Sequence, residues 1–299
     1  MSRYTAIDLS QLGMPDAVEP LDFETILANL KAGLSDRMPE LAPVLQLESE
    51  PLVKLLEEFA YALLHYRARV NDGVKAVSLA TATGGDLDHF ASRFGVERLT
   101  VTPADDTTNP PTAAVMETDA DLRARTQLAL EGFSTAGPRS AYEFHARSAD
   151  AAVKDVAVLS PAPGLVRVVV LSEEVNGVAD AALLDLVHAA VNDDDVRPLC
   201  DTVEVTSATI LPYEIIANLE VADGPDTSIV EATAQAALEA YVANAHGIGV
   251  PIALSGIFAA LHQSGVFRVT VSSPLTDLDV GEAQAAYCTG ITLTVEVAS

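Results

Sequence analysis

The sequence predicts an α+β multidomain protein, with a helical N-terminal region built on one long helix and then two small α/β-type domains of short strands and helices. Three observations lead there. Apolar residues from Leu52 to Val77 recur at alternating steps of four and three, the period of one helix face. Residues 100–119, "TVTPADDTTNPPTAAVMETD", are rich in Pro, Thr and Asp and read as a linker or exposed loop. Beyond them, helix-period stretches interleave with short runs of alternating apolar residues, the pattern of small helix-on-sheet layers. The expected divisions are residues 1–100, 101–210 and 211–299.

Taken in order, residues 15–49 predict one short helix, Phe23–Leu30, among Pro- and Leu-containing connections. The long helix follows in "SEPLVKLLEEFAYALLHYRARVNDGVKAVSLA". Ser49 is placed to cap it, and Pro51 falls in the first turn, where a missing N–H costs nothing. Leu52, Leu56, Phe59, Leu63, Tyr66, Val70, Val74 and Val77 form a near-heptad seam with one slip near Gly73. A second apolar edge, Val53, Ala60 and Leu64, widens the stripe beyond what one neighbour covers. At 1.5 Å per residue the helix is roughly 40–45 Å long, and the short, broken segment before it cannot cover that length. Part of the seam is therefore expected to be covered by another chain, the alternative being an ordinary intramolecular core helix.

"ATGGDLDHFASRFGVERL", residues 82–99, sets Asp86, Asp88 and His89 beside two glycines. Metal ligands converge from several elements, whereas one helical turn spreads these three around its axis. The expectation is that Gly84-Gly85 stop the long helix, Asp86 caps the next one and Asp88 sits in its first turn.

Further on, Thr118 and Asp121 stand at cap and third-position spacing before a helix ending near Gly132. "STAGPRSAYEFHARSA" reads as a turn and a short helix, and "VKDVAVLS" and "LVRVVVLS" as two strands around Pro161-Ala162-Pro163-Gly164. "VADAALLDLVHAAVN" is a helix with Leu183, Leu184, Val187 and Val191 inward, and "DTVEVTSATI" a strand. "YEIIANLEV" is a strand, and the next helix is capped at Ser228 with Glu231 at box spacing and Gly247 past its end. "LSGIFAALHQSG" is a short helix capped by Ser255, and "VFRVTVSS" and "GITLTVEV" close the chain. "VKDVAVLSP" (153–161) and "VFRVTVSSP" (266–274) share V-x-x-V-x-V-x-S-P, each after a short helix containing a histidine, His145 or His262. This reads either as a trace of duplication or as two ordinary strands stopped by proline.

The formal net charge is −26, and residues 211–299 hold 10 acidic groups against Arg268 alone. A nucleic-acid groove needs a basic stripe and an anionic membrane repels such a chain, so proteins are the expected partners and neither nucleic acid nor membrane is. No apolar run reaches a membrane span, and "MSRYTAIDLS" lacks the pattern of a secretion signal. Cys200 and Cys288, two isolated thiols, fit a cytosolic, reduced origin.

No G-x-S-x-G, H-E-x-x-H, Walker loop or C-x-x-C occurs, and the histidines at 65, 89, 145, 188, 246 and 262 lack ligand spacing. "NDDDVRP" (192–198) lacks the glycine and distal glutamate of a calcium loop, and Cys288 has no evident base partner. No catalytic residue, cofactor or metal is therefore expected. A tail-associated hydrolase, the alternative reading, needs an acid–base pair in a cleft.

"EPLVKLLEEFAYALLHYRARVNDGVKAVSLATATGGDLDHFASRFGVERL", followed in order by "STAGP" and by Ser273-Pro274 and Tyr287-Cys288-Thr289, resembles the baseplate J-like proteins of contractile phage tails. The likeness spans roughly residues 45–297. It implies a virion structural protein of the tail baseplate, assembled in the host cytoplasm, in a phage or a tail-like injection system. It further implies two copies per wedge, joined with a tail protein of the I type. Neighbouring wedges complete a sixfold ring, with a lysozyme-like wedge protein linking them to hub, tube and sheath. By the same resemblance, the ring is expected to hold the sheath extended and to widen on host contact, triggering contraction.

Overall fold

A computed structural model of the protein describes residues 7–134, 136–174, 176–222 and 226–297. The chain forms two compact units, Met1–Glu97 with Thr118–Arg123, and Arg98–Glu117 with Ala124–Ser299. The α+β class holds.

The first unit is helical. Helix α1 (Phe23–Arg37) runs 15 residues, longer than the sequence pattern suggests, and Asp22 caps it by accepting from the Glu24 and Thr25 amides. Helix α2 (Pro51–Ala76) has 26 residues and Pro51 at its start. Its N-cap is Glu50 rather than Ser49. The helix ends eight residues before Gly84 of the Gly84-Gly85 pair, in a turn closed by Ser78 and Ala82 amides on the carbonyls of Lys75 and Ser78. The two glycines instead open α3 (Gly84–Ser92), where Gly84 takes a φ of +52° that suits glycine.

The second unit holds a two-stranded ribbon, β1 (Thr100–Thr102) with β2 (Val115–Met116), and two three-stranded sheets. Helix α4 (Asp119–Gly132) starts in the first unit and ends in the second. The Thr118 hydroxyl accepts from the Asp121 amide, as the spacing predicts, and donates to the Asp121 carboxylate. Helix α5 (Arg139–Ala149) leads into the hairpin β3 (Val153–Ala162) and β4 (Leu165–Ser172). Helix α6 (Ala181–Val191) crosses back to β5 (Thr202–Ser207), which pairs parallel to β4. The order β3-β4-β5 makes β4 central. Val168 and Val170 point one way, into a core with Tyr142, Val156, Leu183 and Val187. Val169 and Leu171 point the other way, so β4 is apolar on both faces.

At Ala208 the chain leaves one sheet for the next. Strand β6 (Thr209–Val221) runs unbroken through Pro212, whereas the sequence pattern starts this strand only at Tyr213. Pro212 fits inside it because β6 pairs there only with β8 (Gln284–Val297), and β7 (Val266–Ser273) joins from Ile216 onward. Helices α7 (Thr227–Ala245) and α8 (Leu254–Leu261) cover the Ile215, Ala217 and Leu219 face. They pack so closely that a Cβ on Gly256 would meet the Tyr241 ring at 2.5 Å. The cap of α7 is Asp226, two residues before the expected Ser228, and α8 has Ala253 at its cap position, with Ser255 inside the helix. The echoing segments are β3 and β7, each the antiparallel edge of its sheet. The connectivities differ, since the central strand is second in one sheet and first in the other.

A candidate protein-docking face on the long helix

Helix α2 carries two apolar stripes, and only one is used within the unit. Val53 and Ala60 are fully buried. Ala60, with Leu56 and Leu64, packs on Phe23, Ile26, Leu27 and Leu30 of α1. Asn71, almost fully buried, extends this stripe. Its amide oxygen accepts from the Glu19 N–H at 3.0 Å and its nitrogen donates to the Glu19 carbonyl at 2.7 Å, tying the segment before α1 to the far end of α2. Arg67 closes the same clamp on the Glu19 carboxylate at 2.8 Å.

Roughly 90° around the axis, at 100° per residue, lies the near-heptad seam. Of its eight residues, Leu52, Leu56 and Val74 are half-buried. Phe59 (56% exposed), Leu63, Tyr66 (68%), Val70 and Val77 (60%) face solvent. Exposed single apolar residues are ordinary, but a helical stripe of two aromatic and two aliphatic side chains, continued by Val77 at the C-cap, is a candidate interaction surface. Fully covering each such side chain is worth about 1.5–3 kcal/mol. The sequence pattern thus names the stripe but not its split. Leu56 belongs to the α1 contact, and the edge of Val53, Ala60 and Leu64 is the intramolecular one.

The other candidate positions are dispersed. Asp86, Asp88 and His89 are each exposed. The N-cap position of α3 is Thr83, and the Gly84 amide donates at 3.0 Å to the carboxylate of Asp119, 35 residues away. Arg123, one turn along α4, donates to the carbonyls of Leu79 and Ala82 at 2.8 and 2.6 Å, so the first turn of α4 clasps the α2–α3 connection. In the same way Asp277, across 23 residues, receives the Leu254 amide at the start of α8. Among the described residues no group of three His, Cys, Asp or Glu is placed to hold a metal ion. In the 192–198 loop the Asp193 carboxylate accepts from the Asp195 amide, a local turn. Burial pushes the Cys288 thiol above its ordinary pKa, and its Sγ lies 3.3 Å from the Gly290 carbonyl, the environment of a packed thiol rather than a thiolate nucleophile. No helix among the described residues is long and apolar enough to cross a membrane.

The Baseplate J-like N-terminal domain matches residues 48–105, which include all of α2, and the Baseplate J-like central domain matches residues 134–207. The chain is 51% identical over 288 residues to Baseplate protein J of Escherichia phage P2, a match covering 95% of each chain. An identity of this extent, carried through both units, shows that the chain belongs to the baseplate J-like family of phage tail baseplate structural proteins.

Proposed function

We propose that this chain is a wedge protein of a contractile-tail baseplate, acting through surfaces that grip other polypeptides. The observation that carries the reading is the exposed stripe of Phe59, Leu63, Tyr66, Val70 and Val77 on a helix whose adjacent stripe is already satisfied by α1. Its four-three spacing is self-complementary, the geometry with which two like helices interlock. Its occupant in this reading is the α2 helix of a second copy, with a tail protein of the I type completing the bundle. In this reading the chain works in three parts, divided at about residues 100 and 210, and the two sheet-bearing parts make the contacts between copies and between neighbouring wedges of a sixfold ring. A lysozyme-like wedge protein then joins that ring to hub, tube and sheath. The ring holds the sheath extended, and exchange of one interface set for another on host contact releases it.

The test is co-expression of the chain with the wedge partners, using Phe59→Glu, Leu63→Glu and Tyr66→Glu together. Wedge formation should be lost while the purified chain keeps its helical circular dichroism and melting temperature, because all three side chains face solvent. Unchanged co-purification would refute the reading.

A further inference from the structure

We infer that His246 and Lys154 form a proton-sensitive latch at the joint between the two three-stranded sheets. The joint is small and buried. Val169 and Leu171 of β4 meet Ala208, Ile248 and Ala285 there. Two polar links flank this apolar cluster. The Ile248 amide donates to the Asp155 carboxylate at 2.9 Å, and Asp155 is itself held by Arg147 and the Val156 amide. Beside it, Lys154 Nζ lies 3.3 Å from His246 Nδ1.

A lysine ammonium only donates, so Nδ1 must be the acceptor and the imidazole proton resides on Nε2. Nε2 is buried and has no hydrogen-bond partner. Gly177 lies against it, where a Cβ would come within 3.0 Å. The neutral tautomer is therefore the one this site accommodates. A second proton on Nδ1 removes the acceptor and places two cations in contact. Lys154 then has Glu173, 3.8 Å away, as its alternative partner, and the latch opens toward it.

The charged and titratable groups around the imidazole are few. Strand β3 presents Lys154 and Asp155, helix α5 presents Arg147 through Asp155, and the segment after β4 presents Glu173. Glu239 of α7 and Tyr287 and Cys288 of β8 line, with His246 and Lys154, a cleft of about 470 Å³. The Tyr287 ring lies 5.5 Å from the imidazole. Burial first, then Lys154, holds the His246 pKa below its ordinary value, and Asp155 opposes them. For a base with a depressed folded pKa, the contribution to stability is complete above the unfolded value of about 6.5. It is lost as pH falls from there through the folded value.

The experiment uses the full chain as wild type, H246Q and K154M. Hydrogen exchange of residues 153–156 and 246–250 is followed from pH 7.5 to 5 and corrected for intrinsic rates. In the wild type, protection at these residues should fall as pH drops, relative to the α7 core at Ala234–Leu238. The fall should be about tenfold for each unit by which the imidazole is held down. In H246Q that pH-dependent fall should vanish. An equal fall in H246Q and wild type overturns the latch. If H246Q does not fold, histidine NMR on the other two proteins decides. K154M should titrate His246 at higher pH than wild type does, and an unchanged titration overturns the proposal.

Discussion

At the scale of single residues, the least visible feature of this chain is how often a helix end is satisfied by a carboxylate from far away. Asp119 receives the Gly84 amide and Asp277 the Leu254 amide. Neither partner lies within the four positions over which capping patterns are read, so local spacing points to Asp86 and Ser255 instead. Those two residues sit inside the helices they were expected to cap. Asp119→Ala should therefore cost about 1 kcal/mol of stability, as removal of a cap does. Asp86→Ala, an exposed first-turn position, should change it by less than about 0.5 kcal/mol. Urea denaturation of the two variants checks the order, and a larger loss in Asp86→Ala contradicts the tertiary cap. Buried polar pairs follow the same logic. Glu117 and Arg125 are each under 7% exposed and bonded to each other, and Glu117 also accepts from the Leu99 amide. Nothing in the sequence near either residue marks them, because a salt bridge is chosen by the fold and not by local spacing.

At the scale of elements, legibility follows period and length. Helices α2, α5 and α6 and the β3–β4 hairpin were readable because a strong apolar period coincides with caps or turn residues. Gly164, at a φ of +74°, supplies the left-handed turn that the hairpin needs. The sequence pattern runs "DTVEVTSATI" as one strand and starts the next at Tyr213, whereas the structure divides the chain at Ala208 and carries β6 through Pro212. Pro212 is tolerated because its missing N–H falls where β6 has a neighbour on one side only. The periodicity marks helix α2 as a doubly apolar rod and gives both stripes the same signal, so the stripe that its own chain covers is set by the packing of α1. The structure makes that distinction testable. Ala60→Asp would bury an unpaired charge against α1 and should cost about 3 kcal/mol or more. Tyr66→Asp, on the open stripe, should leave the isolated chain within about 0.5 kcal/mol of wild type. Thermal melts that rank the two the other way would mean that the open stripe is the intramolecular one.

At the scale of the whole molecule, charge sets the terms on which two copies meet. A chain of net charge −26 repels its own kind, yet α2 carries Lys54, Arg67, Arg69 and Lys75 against Glu57, Glu58 and Asp72 and is nearly balanced. The proposed docking helix thus adds little like-charge repulsion of its own, and the opposition to pairing comes from the remainder of the acidic surface. That opposition is long-ranged, so salt removes it. The Debye length shrinks from about 30 Å at 0.01 M to about 8 Å at 0.15 M, whereas apolar contact along the stripe is scarcely affected over this range. Self-association of the full chain, followed by sedimentation equilibrium, should strengthen as NaCl rises from 10 to 150 mM, and Phe59→Glu with Tyr66→Glu should abolish it at every salt concentration. A basic partner drawn to the acidic surface would give the opposite sign, with binding weakened by the same salt. The slope of affinity against salt therefore identifies the occupant of the stripe, and a falling slope for the chain with itself would exclude a second copy.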